Sequence, residues 1–118
     1  MRTLYLIAAC ASLTIAAQKP IVKEIGVQVP MRDGVRLASN LFIPHGSGTF
    51  SCILVRTPYG KGLDITPHYR AFVELGYAVL VQDVRGRYES EGAFQPLTQE
   101  PADGDDTINW IALGRKPS

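Results

Sequence analysis

The runs Cys52-Ile53-Leu54-Val55 and Tyr77-Ala78-Val79-Leu80-Val81 decide the fold class of this 118-residue chain. Both runs are apolar without interruption, a pattern typical of parallel strands that are covered on both faces. Between them, Thr66 and Pro67 form a typical helix start, and Gly76 is a typical helix stop. The stretch therefore predicts a right-handed strand–helix–strand unit and an α/β fold.

Two segments upstream of this unit alternate between apolar and polar residues. Apolar positions recur every second residue over most of Ile21–Val29 and Val35–Ile43, which is the period of a strand with one buried face. Asp33-Gly34, which lies between the segments, is a strong signal for a tight turn. We therefore expect an antiparallel hairpin of two half-buried strands.

A second helix is predicted downstream, over residues 101–113. Pro101 suits its first turn, and Gly114 is its expected stop. The expected buried face consists of Ile108, Ile111 and Ala112, with Trp110 at its flank. Asp103, Asp105 and Asp106 lie near the N-terminal end, where the helix dipole favours negative charge. The spacing of a calcium-binding EF-hand is absent, so the helix dipole is the preferred explanation of this acidic cluster.

Composition excludes several classes of protein. The chain is 46% hydrophobic and 19% charged, with a net charge of +1, which is too apolar for a disordered chain and lacks the basic excess of a nucleic-acid-binding protein. No uncharged apolar run reaches the roughly 18 residues that a membrane span needs. The length allows one domain, since a domain takes about 100–200 residues.

Residues 1–17 are predicted to be a secretory signal peptide, with residues 18–118 as the mature domain. Arg2 supplies a positive start, and Leu4–Ala17 is an uncharged apolar run that ends in small residues. We therefore expect export to the periplasm or the medium. A lipoprotein signal at Cys10 is less favoured because the apolar region before it is short, and a buried N-terminal helix is a further alternative. The remaining Cys52 has apolar neighbours, which predict a buried, inert thiol.

Two loops leave the carboxyl ends of the predicted parallel strands, where ligands of open α/β sheets bind. Residues 56–62 (RTPYGKG) follow the first strand, and residues 83–92 (DVRGRYESEG) follow the second. Loops rich in glycine and charge at this position are candidate sites. The spacing alone names no reaction, and a more conservative interpretation is that Asp83, Arg85 and Arg87 form ion pairs that hold a loop.

Several motifs occur in one order along the chain: Met31–Leu37, Arg56-Thr57-Pro58-Tyr59, Gln82–Arg87 with Ser90-Glu91-Gly92, and Pro101–Gly104 with Asp106–Ile111. Together they resemble the X-prolyl dipeptidyl-peptidase and cocaine-esterase family of serine hydrolases. The resemblance implies the N-terminal portion of an α/β-hydrolase fold with an incomplete sheet. It also implies hydrolysis of a small ester, amide or peptide through an acyl-serine, without a metal or an organic cofactor.

The same resemblance implies roles for individual residues. Tyr59 matches the tyrosine that donates its hydroxyl to the oxyanion, and we interpret Asp83 and Arg85 as loop scaffolding beside the site. Ser90 lacks the flanking glycines of the Gly-x-Ser-x-Gly nucleophile motif, and neither His45 nor His68 matches the family's catalytic histidine. We therefore expect the nucleophile, acid and base to lie outside this chain. The alternative is a non-catalytic remnant or binding module that keeps the front half of the fold.

Overall fold

The computed structural model describes residues 19–114, so the predicted signal peptide and Cys10 lie outside the described residues. The chain forms β1 (Ile21–Pro30), β2 (Arg36–Pro44), β3 (Cys52–Thr57), α1 (Pro67–Glu74), β4 (Ala78–Asp83) and α2 (Glu100–Ala112). The strands make one sheet in the order β1-β2-β4-β3. β1 and β4 run antiparallel to β2, and β3 runs parallel to β4. The predicted hairpin, strand–helix–strand unit and final helix are confirmed.

The boundaries of α1 follow from local chemistry. The Thr66 hydroxyl accepts a hydrogen bond from the Tyr69 backbone N–H at 3.4 Å, and Pro67 occupies the first turn. Gly76 follows the helix with φ of +101°, a left-handed conformation that favours glycine. The predicted start and stop of this helix are therefore correct.

The two helices cover opposite faces of the sheet. On one face, α1 contributes Val73 to a cluster with Phe42, Val79 and Val81. On the other face, α2 contributes Trp110 to a second cluster. The other buried members of that cluster are Val27, Val29, Met31 and Leu37. The sheet is thus covered on both sides, as its continuous apolar runs predict. Among residues 19–114, no helix is long and apolar enough to span a membrane.

The prediction of one continuous buried face along β1 was wrong because the strand contains a bulge. Glu24 pairs with Leu41, but the next pair is Val27 with Ser39, so β1 contains one extra residue. Gly26, within the bulge, has φ of +74°. An extra residue reverses the faces of a strand. Ile21 consequently packs on the α1 side, whereas Val27 packs on the α2 side.

β2 is buried on both faces rather than on one. Leu37 and Ser39 face one side and Ala38 and Asn40 the other, and all four are 0% exposed. The reason is topological, because β2 lies inside the sheet between β1 and β4. The polar residues in its pattern therefore find partners inside the protein instead of facing water.

The predicted buried face of α2 was correct only at Ile111, which is half-buried and packs against the second cluster. The buried residues of α2 are Asp103, Thr107 and Trp110, whereas Ile108 is 56% exposed and Ala112 is exposed. The sheet surface beneath α2 presents polar groups, so the helix turns a mainly polar stripe towards it. Cys52, expected to be buried, is half-buried, and burial raises the pKa of its thiol.

Candidate functional site

The candidate site lies where β3 and β4 end together. Thr57 pairs with Asp83 in the parallel ladder, so the two predicted loops leave the sheet side by side. They enclose a groove of about 290 Å³. Its lining consists of Tyr59, Gly60, Lys61, Gly62, Leu63, Asp83, Tyr88 and Glu89. The groove therefore lies at the edge of the sheet where the sequence predicts a candidate site.

Tyr59 stands on the tight turn that follows β3. The residue is 83% exposed, and its backbone N–H donates to the Thr57 hydroxyl at 3.0 Å. Within the described residues, its own hydroxyl has no hydrogen-bond partner. The phenol is therefore available to a group that occupies the groove.

Asp83 fastens both loops to the sheet. It is 1% exposed, and its carboxylate accepts hydrogen bonds from the backbone N–H of Lys61 at 2.6 Å and of Glu89 at 3.4 Å. Its carbonyl accepts from the Ser90 hydroxyl at 2.6 Å. A buried carboxylate with several donors restrains the groups that donate to it. Asp83 therefore restrains the backbone of both loops.

Lys61 is the buried cation of the groove. Its side chain is 3% exposed, and its ammonium nitrogen lies 2.7 Å from a Glu89 carboxylate oxygen and 3.8 Å from one of Asp83. A buried ammonium needs such partners to offset its loss of hydration. One lysine therefore links the base of the groove to its outer wall.

Arg85 lies behind the groove and holds two acidic residues. Its guanidinium donates to both carboxylate oxygens of Asp103, at 2.9 and 2.7 Å, and to both of Asp33, at 2.7 and 3.2 Å. The hydrogen bonds from Arg85 hold the pKa of Asp33 below its usual value. Arg85 therefore joins the β1–β2 turn to α2, as a scaffold residue would.

The explanation of Asp103 by the helix dipole was incomplete. Asp103 is 2% exposed and is paired with Arg85, whereas Asp105 is exposed. The sequence shows that Asp103, Thr107 and Trp110 share one helix face, because they follow the i, i+4, i+7 spacing, but it does not show that this face is the buried one. No group of three or more His, Cys, Asp or Glu residues in residues 19–114 is placed to hold a metal ion.

A row of polar side chains crosses the sheet under α2, and sequence reasoning missed it. Gln82 donates through its amide nitrogen to the Ser39 hydroxyl at 3.1 Å. Its amide oxygen accepts from Arg56 at 2.9 Å and from the Thr107 hydroxyl at 3.1 Å. Arg56 also pairs with Glu100 at the start of α2. These bonds anchor α2 next to the end of β3, from which Tyr59 follows.

Ser90, His45 and His68 do not line the groove. The Ser90 hydroxyl is buried between the Asp83 carbonyl, to which it donates, and the Ala38 N–H, from which it accepts at 2.8 Å. Its proton and a lone pair are thus already engaged. His45 and His68 are exposed, and that neither is catalytic stays a prediction.

Comparison with known proteins gives the family. The profile of a family described as X-Pro dipeptidyl-peptidase (S15 family) matches residues 33–116, which is more than half of the chain. This chain belongs to the X-Pro dipeptidyl-peptidase (S15) family. It is 46% identical over 91 residues to a cocaine esterase of Rhodococcus sp. (strain MB1 Bresler), covering 72% of this chain and 16% of that protein.

Other relatives and solved structures are less similar in sequence. A putative serine esterase of Mycobacterium bovis is 32% identical over 107 residues, covering 70% of this chain and 17% of the relative. A CocE/NonD family hydrolase from Staphylococcus aureus superposes with a TM-score of 0.71 at 27% identity, covering 83% of this chain and 21% of that chain. An alpha-amino acid ester hydrolase superposes at 0.67 and 28% identity, covering 94% of this chain and 22% of its own. The predicted fold class, the N-terminal portion of an α/β-hydrolase with an incomplete sheet, is thereby confirmed.

Proposed function

We propose that this chain forms one side of the active site of a serine hydrolase that cleaves a carboxylic ester through an acyl-serine. The observation that carries the proposal is Tyr59, which stands at the edge of the groove at the carboxyl ends of β3 and β4, with a hydroxyl that has no partner among residues 19–114. The names of the two curated relatives, both esterases, favour an ester over an amide. Amide or peptide hydrolysis by the same acyl-serine route is the second candidate, supported by the dipeptidyl-peptidase family profile.

Tyr59 would stabilise the oxyanion. When a nucleophile adds to an ester carbonyl, negative charge develops on the carbonyl oxygen. A fixed hydroxyl aimed at that oxygen lowers the barrier, because the interaction is stronger in the transition state than with the bound ester. Removal of one such donor typically costs about 2.7–4 kcal/mol. The hydrogen bonds that Thr57 and Asp83 accept from the backbone N–H groups of Tyr59 and Lys61 would supply the rigidity that this role needs.

The nucleophile, acid and base are assigned to a part of the enzyme outside this chain. The sequence contains no Gly-x-Ser-x-Gly motif, and the Ser90 hydroxyl is engaged in the scaffold. The chain spans 16% and 17% of the lengths of the two curated relatives. The proposal therefore gives these residues the oxyanion side of the site and its scaffold.

A chimera tests the proposal. The 91-residue segment of the Rhodococcus esterase that matches this chain would be replaced by the corresponding segment of this chain, and hydrolysis of p-nitrophenyl esters would be measured. In the active chimera, Tyr59→Phe should lower kcat about 100-fold or more with little change in KM, because the hydroxyl acts on the transition state. Tyr77→Phe is the matched control, since Tyr77 lies at the opposite end of β4, and it should leave kcat unchanged.

Different parts of the proposed function would be contradicted by different results. Equal kcat values for the chimera with and without the Tyr59→Phe substitution would remove Tyr59 from the mechanism. A chimera that folds but does not hydrolyse esters or amides would favour the non-catalytic binding module. The chain by itself should not react with a fluorophosphonate, and stoichiometric labelling of Ser90 would require a different active site.

A further inference from the structure

We propose that Arg87 is a positioning residue that holds the turn carrying Tyr59 in its catalytic geometry; the catalytic part of this inference rests on the proposed function above. The Arg87 guanidinium donates through Nε to the Pro58 carbonyl at 3.1 Å. Sequence reasoning grouped Arg87 with ion-paired residues, but within residues 19–114 it forms no ion pair. Its hydrogen bond goes instead to the peptide group immediately before Tyr59.

The bond acts on the peptide plane that Tyr59 shares with Pro58. The carbonyl of Pro58 and the N–H of Tyr59 belong to one rigid peptide group. Arg87 holds its oxygen, and the Thr57 hydroxyl accepts from its N–H at 3.0 Å. Two residues further on, the Asp83 carboxylate accepts from the Lys61 N–H. The backbone on both sides of Tyr59 is therefore restrained by side chains.

Arg87 is itself held by aromatic rings. Its guanidinium carbon lies 5.1 Å from the centre of the Phe94 ring and 5.7 Å from the centre of the Tyr88 ring. A planar guanidinium packs on aromatic faces while its N–H groups remain free to donate, which a lysine ammonium does less well. Because the guanidinium is held this way, its Nε–H is presented to Pro58 with little freedom to move.

The loop that carries Arg87 also packs directly on the Tyr59 turn. The Tyr88 ring lies over Gly60, where an added Cβ would come within 3.1 Å of a ring carbon. Tyr88 has φ of +50°, an uncommon conformation for a residue other than glycine. Strained residues of this kind persist where the surrounding structure determines them, often at functional sites. The Arg87–Tyr88 segment is therefore shaped to fit the turn.

Catalysis depends on this restraint because an oxyanion donor works only within hydrogen-bond reach of the developing charge. A misplacement of about 1 Å at a catalytic group can cost about 100-fold in rate. Loss of one of several restraints should displace Tyr59 less. We expect a decrease in kcat of about 10-fold for Arg87→Leu, with KM changed less than about two-fold.

A double-mutant cycle in the chimera tests the catalytic part. Arg87→Leu should lower kcat about 10-fold when Tyr59 is present and less than about two-fold when it is combined with Tyr59→Phe, because Arg87 acts through the Tyr59 hydroxyl. Arg87→Lys should retain an intermediate kcat and replaces the leucine variant if that variant does not fold. Arg36→Leu is the matched control, since Arg36 is exposed and pairs with Glu91, and it should leave kcat unchanged. The same loss with and without Tyr59→Phe, or no loss in either background, would overturn the inference.

Amide hydrogen exchange tests the restraint without activity. In the 118-residue chain at low micromolar concentration, Arg87→Leu should accelerate exchange at the Tyr59 and Lys61 amides by about five-fold or more and leave the amides of β4 unchanged. Unchanged exchange at Tyr59 and Lys61 would overturn the positioning role. If Tyr59→Phe proves harmless while exchange still accelerates, the proposed function fails but the contact between Arg87 and the turn stands.

Discussion

At the scale of single residues, Asp103 in the first turn of α2 does more than interact with the helix dipole. Its carboxylate is buried and receives two hydrogen bonds from Arg85. The Arg85 guanidinium also donates to Asp33, which lies 52 positions before it in the sequence. A buried carboxylate needs a paired, hydrogen-bonding partner to offset its loss of hydration. Asp103 therefore fastens α2 to the scaffold behind the groove.

Replacing this carboxylate should destabilise the fold. Asp103→Asn leaves the buried Arg85 with one carboxylate instead of two, and we expect a loss of about 3 kcal/mol in the free energy of unfolding, at the lower end of the range for breaking a buried pair. Asp105→Asn is the matched control, since its side chain is 64% exposed, and it should change the value by less than about 0.5 kcal/mol. Urea titration followed by the fluorescence of Trp110, the one tryptophan in the sequence, measures both. Equal losses in the two variants would contradict the role of Asp103.

At the scale of elements, the loop between β4 and α2 depends on a close approach at Gly86. Gly86 has φ of +74°, and a Cβ there would lie 2.1 Å from the Phe94 backbone nitrogen. The turn therefore requires glycine for its conformation and also for space. Its closure places Phe94 against Arg87, and Arg87 and Tyr88 contact the Tyr59 turn.

A pair of glycine substitutions separates the energetic cost of a left-handed backbone from the cost of a steric clash. Gly34→Ala should cost about 1–2 kcal/mol, the usual penalty of a left-handed conformation, because a Cβ at Gly34 meets nothing within 4 Å. Gly86→Ala should cost more than twice as much, because the backbone of Phe94 must also move. Urea titration gives both values, and similar losses at the two sites would show that the loop opens easily.

The two edges of the sheet differ in their protection. β1 has a bulge and charged residues at Lys23 and Glu24, features that discourage pairing with another chain. In the part of the chain that the structure describes, β3 pairs only with β4, and its segment Cys52–Val55 carries no charge. An uncharged edge with unpaired backbone groups is a template for intermolecular strand pairing.

We therefore expect the 118-residue chain to self-associate through β3. Size-exclusion chromatography should show an apparent mass that rises with protein concentration. Leu54→Lys should shift the chain towards the monomer because a charge opposes pairing at that edge. Val22→Lys on β1 is the control and should have no such effect. A monomer at all concentrations would show that β3 is not an open edge in solution.

At the scale of the whole molecule, we propose that the chain is exported. Arg2 and the uncharged run Leu4–Ala17 support this proposal, and those residues lie outside the part of the chain that the structure describes. Intact-mass measurement on protein recovered from the periplasm or medium should show cleavage near Ala16 or Ala17. Retention of Met1 in exported protein would contradict it, and a lipid on Cys10 would favour the lipoprotein alternative.

The sequence by itself determined the elements whose signals are local. The cap at Thr66, the stop at Gly76 and the apolar runs of β3 and β4 each depend on neighbours within a few positions, and all of them appear in the structure. The position of the candidate groove follows as well, because adjacent parallel strands end at the same edge of a sheet.

Only the tertiary structure decided which faces are buried and which side chains work together. The bulge at Gly26 reverses β1, the interior position of β2 buries both of its faces, and α2 turns Asp103 and Thr107 towards the sheet. The partners of Arg85 lie 18 and 52 positions away, and the carbonyl that Arg87 holds lies 29 positions away. Such pairings depend on where distant segments meet in space. Periodicity and capping carry no information about that, because they describe one segment at a time.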